Sequence, residues 1–369
     1  MKIVHMTSVH PIHDSRIFYK ECQTLHAHQF NVTLIAPANH DTEINGINIC
    51  AIKSYRSRLK RALLAPFQIY LKALHANADL YHFHDPELIP IAILLKFHRK
   101  KIVYDVHEDY PTNILHRQYL PQVLRKCFSV FMIFLEKLAA RFCTAIITVT
   151  PKIAQRFPSN KTFLVRNYCD LNELSWPSMP AYEERPHDCL YVGSLSAERD
   201  LAAVIDAVSL VPSDYQVKLQ LAGKFHSPYL LQNLQQSPNW NNVNYLGYLD
   251  RQQVKQQLTS ARMGLLILPP VAHYKDSYPI KLFEYMAAGL PVIASDFPVW
   301  RNIIEHAKCG LLVDPLNKHA IAAAIQYLIA HPKAAKQMGD NGRKAVVQNY
   351  NWSNEAATLV YNYKKILNI

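Results

Sequence analysis

Residues 276–298, DSYPIKLFEYMAAGLPVIASDFP, set the reading of the whole chain. DSYP is a loop that ends at a proline. IKLFEYMAAG has the spacing of a short helix, in which Ile280, Leu282, Phe283 and Met286 are the apolar positions while Lys281 and Glu284 face elsewhere. Gly289 stops that helix, and LPVIAS follows as an apolar strand. Pro279 is expected at the first helical position, where its missing N–H costs nothing. The free amides of a helix start, with their partial positive charge, form an anion seat. Glu284 lies about one turn into the helix, and Asp276 stands eight residues before it. An anion seat beside two carboxylates suits a phosphate joined to a hydroxyl-rich sugar.

Around that stretch, strands and helices alternate along the chain. In residues 1–170 the strand-like segments are KIVHMTS, NVTLIAP, INICAI, DLYHFHDPE, KKIVYDVHED, TAIITVT and KTFLVRNYCD, with helical patterns between most of them. The segment 172–188, NELSWPSMPAYEERPHD, holds three prolines and four acidic residues and reads as a linker. A second alternating series then runs CLYVGSL, VKLQLAG, VNYLGYL, GLLILPP, LPVIAS and CGLLVDP. This pattern predicts an α/β chain of two doubly wound, Rossmann-like domains with parallel sheets, facing each other across a cleft. The expected division is 1–170, a linker over 171–188, and 189–350, with a tail helix at about 352–369. A length of 369 residues suits two domains.

Composition excludes several classes. Only Gly46 of the nine glycines lies in the first 170 residues, so no GxGxxG fingerprint exists there, and no GxxxxGK[ST] loop exists anywhere. Nicotinamide dehydrogenases and P-loop NTPases are thereby disfavoured. The seven cysteines are scattered without CxxC spacing, which predicts reduced thiols and a cytoplasmic protein. No apolar run is long enough to span a bilayer, and MKIVHMTSVHP is too short and polar for a signal peptide.

The net charge of +12 is uneven: residues 1–170 carry 22 Lys and Arg against 12 Asp and Glu, the remainder 18 against 16. The basic half should meet something anionic. The basic runs 53–61 and 96–101 match no nucleic-acid-reading motif. They are expected either as solvated surface or as contacts to anionic lipid at a membrane face. Residues 125–142, RKCFSVFMIFLEKLAARF, are apolar nearly all round with basic ends. That pattern fits a helix packed on the sheet or one dipping into a membrane interface.

In parallel sheets, ligands bind beyond the carboxyl ends of the strands. Three polar clusters fall at such ends: His10 to Arg16, His82 to Glu87, and Asp105 to Asp109. His107, with Asp105, Glu108 and Asp109 around it, is the histidine singled out for function. HxHD at 82–85 and DxHED at 105–109 offer metal-ligand types, but HExxH spacing and Cys/His regularity are absent. No metal or other cofactor is expected.

The ordered set YVGSLSAERDL (191–201), QLAGK (220–224), VNYLGYL (243–249), SYPIKLFEYMAAGLPVIAS (277–295) and CGLLVDP (309–315) resembles the GT-B glycosyltransferases of the GT4 type, which retain anomeric configuration and use sugar nucleotides. VHPIHDSRIFYKE (9–21), HFHDPE (82–87) and VYDVHED (103–109) resemble a subgroup found in bacterial surface-polysaccharide assembly. The resemblance covers essentially the whole chain. It implies an acceptor-binding domain over 1–170, with the tail helix packing back on it, and a nucleotide-sugar domain over 189–350.

It also implies roles. Glu284 matches the second acid of the family's E-x7-E motif, which grips the ribose. Asp276 takes the first-acid position, normally glutamate, which contacts the donor sugar. The amides of Ser277, Tyr278, Pro279 and Ile280, with Lys281 beside them, would face the diphosphate. Arg199 matches the basic residue that neutralises it, with Lys224 as a helper. Ser194 stands where many members carry an arginine, and Asp200 where many carry glycine. Backbone at Tyr248 and Leu249 would recognise the base. His107 matches a histidine near the reacting carbon. The family's Gly-rich first loop is replaced by HPIHDSR, which makes His10, Asp14 and Arg16, with His84 and Glu108, candidates for acceptor binding and Asp14 also for catalysis.

The activity so implied is transfer from a nucleotide sugar, a UDP-sugar in this reading, to a lipid-linked or oligosaccharide acceptor, at the inner face of the cell membrane. The competing readings are a non-catalytic GT-B partner of another transferase and a sugar-nucleotide epimerase.

Overall fold

The computed structural model describes the whole chain except residues 117–119 and 175–179. It divides into two compact units, Met1–Asn167 with Trp352–Ile369, and Tyr168–Asn351.

The first unit is an eight-stranded sheet in the order β3-β4-β2-β1-β5-β6-β7-β8. Its strands are β1 (Lys2–Met6), β2 (Asn31–Pro37), β3 (Thr42–Ile44), β4 (Ile47–Ile52), β5 (Leu80–Phe83), β6 (Lys101–Val106), β7 (Ala145–Thr148) and β8 (Thr162–Leu164). All neighbours pair in parallel except β3 with β4, a hairpin turned at Asn45–Gly46, where both residues have positive φ. Sequence reading missed β3. The order reverses direction at β1 and β5, so the carboxyl ends of these strands form the switch point of the sheet.

Strand periodicity assigns the faces. Val4, Met6, Tyr81, Phe83, Tyr104 and Val106 point into the apolar layer under the helices Arg58–Ala76, Ile89–Phe97 and Gln122–Phe142. Ile3, Leu80 and Val103 point the other way, into a core shared with the helix Trp352–Leu367. That helix is anchored by Trp352 Nε1, which donates to Thr24 Oγ1 at 2.9 Å, and by Tyr363, fully buried. His5, His82 and Asp105 share this second face, each fully buried.

The second unit is a six-stranded parallel sheet in the order β11-β10-β9-β12-β13-β14. Its strands are β9 (Cys189–Val192), β10 (Leu219–Ala222), β11 (Val243–Gly247), β12 (Met263–Leu266), β13 (Val292–Ser295) and β14 (Gly310–Val313). Its switch point lies between β9 and β12. The segment expected as a free linker is folded onto this unit: Leu174 and Tyr182 enter its two cores, and Arg262 Nη1 donates to the carbonyls of Glu183 and Arg185. Only 175–179 of that segment lie outside the described residues.

The helix 125–142 does not have the buried surface that an apolar helix on a sheet would have. Over Gln122–Phe142 the inward residues are Ser129, Glu136, Ala139 and Ala140, whereas Phe128, Val130, Phe131, Ile133 and Phe134 are exposed. Small and polar side chains face the protein, and aromatic ones face outward.

Candidate active site

In the second unit the opening stretch folds as a helix over Ile280–Ala287, ended by Gly289 at φ +67°. A left-handed residue closing a helix is the usual place for glycine. Pro279 sits one position earlier than expected, at the N-cap, with extended φ and ψ. The amides available to an anion are also fewer than four. Ser277 donates its N–H to Tyr274 O at 3.1 Å, and Pro279 has none. Tyr278, Ile280 and Lys281 remain, the last two in the first turn, where a helix leaves its amides without an intrahelical acceptor. Trp300 Nε1 holds the loop by donating to Ser277 O at 2.9 Å. Asp276 is half-buried, closing the short helix Ala272–Lys275.

Glu284 is fully buried, and both carboxylate oxygens are engaged: Arg251 Nη1 donates to Oε1 at 2.8 Å and Lys281 Nζ to Oε2 at 2.6 Å. Burial opposes the charged form, yet Lys281 and Arg251 outweigh it and hold the carboxyl below its ordinary pKa. Glu284 is thus an ionised acid with a fixed orientation. Arg251 is itself clamped by Glu173. Sequence reading missed Arg251; its signal was a lone basic residue opening the helix that follows VNYLGYL.

Arg199 lies beside this seat. Its guanidinium sits 5.7 Å from the ring centre of Tyr274, in the helix that leads into the loop, and 3.6 Å from where a side chain on Gly193 would begin. The carboxyl ends of β9, β10 and β11 are drawn together at glycines: Gly193 N donates to Ala222 O at 3.0 Å, and Gly223 N to Gly247 O at 2.8 Å. A Cβ on Gly223 would fall 1.8 Å from Gly193 O, so the close approach excludes any other residue. Lys224, Tyr248 and Leu249 follow these strand ends, the first two exposed. Ser194, at the position where many family members carry an arginine, hydrogen-bonds His226 Nε2 through its Oγ at 2.8 Å. His226 was a second residue missed. Asp200 adopts the left-handed conformation at φ +47°, which accounts for the glycine common at that position in the family it resembles.

In the first unit the switch point gathers His10, Asp14, Arg16, His84 and His107. His10 lies 5.1 Å from His107 between ring centres, with Nδ1 3.3 Å from Asp14 Oδ2 and Nε2 3.5 Å from Asp85 Oδ1. Burial works against the imidazolium of His10. The Asp14 hydrogen bond and the charges of Asp85, Asp14 and Glu108 overcome it and raise the pKa. Asp14 also accepts from the amides of Arg16 and Ile17 at 2.8 and 2.9 Å, which starts the π-helical turn Ile17–Cys22. Burial is again the opposing influence, and His10 with these amides keeps Asp14 ionised.

His10, Asp14, His107 and Glu108 reach the surface of this cluster, whereas Arg16 and His84 are interior. Arg16 grips Asp105 through Nε and Nη2, both at 2.8 Å, and donates to Val165 O. His84 Nδ1 lies 3.1 Å from Asp105 Oδ2, and His107 Nδ1 3.3 Å from the same oxygen. Arg16 and His84, expected to face an acceptor, are instead enclosed, with Asp105 and Val165 O as the hydrogen-bond partners of Arg16 and Asp105 as that of His84 Nδ1.

Two family models divide the chain between them: glycosyltransferase family 4 over residues 15–164 and glycosyl transferases group 1 over 178–345. Among curated proteins, the chain is 23% identical to D-rhamnosyltransferase WbpZ of Pseudomonas aeruginosa, over 73% of this chain and 69% of that protein. It is 22% identical to the phosphatidyl-myo-inositol mannosyltransferase of Mycobacterium leprae, over 93% and 90%. A 28% match to an uncharacterized glycosyltransferase of Methanocaldococcus jannaschii covers 47% of this chain and spans 44% of that relative. Among solved structures, a sucrose-phosphate synthase from Thermosynechococcus elongatus superposes with a TM-score of 0.78 at 20% identity, over 99% and 98% of the two chains. Anabaena HepE in complex with UDP and glucose does so at 0.75 and 16%, over 99% and 100%. With both kinds of domain in order along one chain, and both sheets wound as in these neighbours, the protein is a glycosyltransferase of the GT-B fold, built from a family 4 module and a group 1 module.

Proposed function

We propose that this enzyme transfers a glycosyl unit, with retention, from a UDP-sugar to a lipid-linked or oligosaccharide acceptor in surface-polysaccharide synthesis. The observation that carries the donor half is the Glu284 seat. An ionised, oriented carboxylate lies one turn inside a helix whose start offers amides to a diphosphate, with Arg199 alongside. Breaking the sugar–phosphate bond builds negative charge on the leaving diphosphate. The helix start, Arg199 and Lys224 stabilise that charge, and His226 adds a donor on the Ser194 side. In this reading protein cations do the work that Mg²⁺ does in metal-dependent transferases. Tyr248 and Leu249 recognise the base, Asp276 the sugar hydroxyls. His107, Asp14 and Asp276 take the catalytic roles, with His10 and Glu108 meeting the acceptor. Among the relatives, one is named for a phosphatidyl-inositol acceptor and one for D-rhamnosyl transfer, in keeping with a lipid or polysaccharide acceptor.

Incubation of the purified chain with a panel of UDP- and GDP-sugars should give UDP-sugar turnover that Arg199→Ala abolishes. Turnover unaffected by that change would remove Arg199 from the site. A chain that binds donors without turning them over would be the non-catalytic partner. An epimerised nucleotide sugar formed without acceptor would reveal the epimerase.

The acceptor half rests on the outward face of the first unit. Leu59, Leu63, Phe67 and Leu71 recur at helical spacing on the exposed side of Arg58–Ala76, and Phe128, Phe131 and Phe134 on Gln122–Phe142. Lys126, Lys137 and Arg141 are exposed on the latter helix. Among the described residues no helix is long and apolar enough to cross a membrane. We read these helices as lying in the interface of an anionic membrane, aromatic side chains down. The chain should co-sediment with anionic liposomes at low salt, and Phe128→Glu with Phe131→Glu should reduce the bound fraction at least about tenfold, given about 1.5–3 kcal/mol for burying one such side chain. Equal binding to neutral liposomes, insensitive to salt, would remove the charge component.

A further inference from the structure

We propose that His5, Glu21, His82 and His84 form a structural Zn²⁺ site inside the first unit. The four side chains come from three places in the fold: β1, the π-helical turn after it, and the end of β5. All four are fully buried. One ligand atom from each lies within 4.8 Å of all the others. Glu21 Oε2 is 3.8 Å from His5 Nδ1, 3.7 Å from His82 Nδ1 and 3.9 Å from His84 Nε2, and His5 Nδ1 is 3.1 Å from His84 Nε2. A tetrahedral zinc with bonds of about 2.0–2.1 Å has ligand–ligand edges of about 3.3 Å, so these separations bracket the required figure.

Strand register produces the cluster. His5 and His82 are partners across β1 and β5, on a sheet face otherwise filled by Ile3, Leu80 and Val103. Two imidazoles side by side in an apolar layer lose their solvation and keep one polar partner each, His84 Nε2 at 3.1 Å from His5 Nδ1 and Tyr363 OH on His82 Nδ1. Neither oxygen of Glu21 has a hydrogen-bond partner, although Arg16 Nη2 comes within 3.1 Å of Oε1, and His5 Nε2 and His82 Nε2 have none. A buried carboxylate oxygen without a hydrogen bond, with three imidazole nitrogens 3.7 to 3.9 Å from it, suits a cation between them.

The outer contacts have the form that orients metal-bound histidines. His84 presents Nε2 to the cluster while its Nδ1 meets Asp105, which Arg16 holds bidentately. Tyr363 OH is bonded to His82 Nδ1, the nitrogen that faces Glu21, so zinc on that nitrogen would take the place of the tyrosine contact. The carboxylate behind His84 sets the tautomer that leaves its Nε2 free to bind metal. Three neutral nitrogens and one carboxylate oxygen suit Zn²⁺ among divalent ions, and four protein ligands leave no position for water or substrate. The overlapping trio His84, Asp105 and His107 is a poorer site, because both Asp105 oxygens are taken by Arg16. The site's role would be to lock the ends of β1 and β5; His10 follows β1, and His107 follows β6, which pairs with β5. It does not depend on the donor chemistry proposed above.

The test is the metal content of the full chain, expressed in zinc-replete medium and purified in metal-free buffer. About one zinc per chain is expected, with X-ray absorption showing an imidazole and oxygen shell at about 2.0–2.1 Å and no sulfur at about 2.3 Å. Extraction with a strong chelator should lower the melting temperature, and Zn²⁺ but not Mg²⁺ should restore it. Glu21→Gln should lose most of the bound zinc. If that variant does not fold, the chelator titration and absorption spectrum of the unmodified chain decide. Folded protein with less than about a tenth of an equivalent and no zinc-dependent melting shift would overturn the proposal, as would a sulfur-containing shell.

Discussion

Asp105→Asn should destabilise the first unit by about 3–5 kcal/mol, the cost of taking from a buried guanidinium the carboxylate it grips and leaving it Glu21 Oε1 alone at 3.1 Å. Asp105 is fully buried and accepts two parallel hydrogen bonds from Arg16, with His84 and His107 on its Oδ2. Asparagine keeps the shape and removes the charge. Its NH₂ group turns a donor toward the donors of Arg16, which lies only 4% exposed and has no route to water. For a unit of this size the melting temperature should fall by roughly 10 °C.

The pair costs desolvation as well as supplying attraction, so the double change Arg16→Met with Asp105→Leu should recover most of the loss. Scanning calorimetry of the two single variants and the double variant checks this. A double variant as unstable as the sum of the singles would show that Arg16 and Asp105 act separately. Activity should not recover with stability, because His107 and His84 lose the carboxylate that orients them. That split between folding and turnover distinguishes a positioning residue from one that merely fills the core.

The fold was largely legible because strand alternation and chain order carry it. Every parallel strand of both sheets falls within a segment whose apolar run and flanking breakers mark it, except that β12 opens at Met263, one residue ahead of GLLILPP. What escaped was decided by contacts distant in sequence. β3 is three residues long and is set by its hairpin with β4, not by its own pattern. The segment 171–188 has a linker's composition, yet Tyr182 and Leu174 find cores that only the folded second unit supplies. In the proposed donor site, Glu284, Arg199 and the glycine-marked strand ends announce themselves by motif. Arg251 and His226 do not, because their partners lie 33 and 32 positions away. Near β1 the histidines at 82, 84 and 107 stood out, but their sorting into exposed and interior depends on register. His5 and His82 are neighbours because β1 pairs with β5, 77 residues apart. A pattern that places a histidine on the apolar face of a buried strand was the available signal.

Glu284→Gln tests the donor seat with the least disturbance of shape. The carboxylate holds Arg251 and Lys281 and, in its proposed role, keeps lone pairs for a ribose hydroxyl, whereas glutamine can accept on one side only. Hydrogen bonds to a charged group contribute about 1.5–3 kcal/mol, so kcat/KM for UDP-sugar turnover should fall by about 10- to 150-fold. If the ribose is gripped equally before and during bond breaking, the loss should appear in KM with kcat nearly intact. A folded variant with unchanged kcat/KM would remove Glu284 from the seat. Acid stability gives a second readout. The folded pKa of Glu284 is depressed, so its contribution is full above the unfolded carboxyl value of about 4.3 and is lost as pH falls through the folded value. The unmodified chain should therefore lose stability below about pH 4 more steeply than Glu284→Gln, whose side chain does not titrate. Parallel acid limbs would mean that Arg251 and Lys281 contribute no net stabilisation to the buried carboxylate, and the donor seat would then owe its geometry to packing alone.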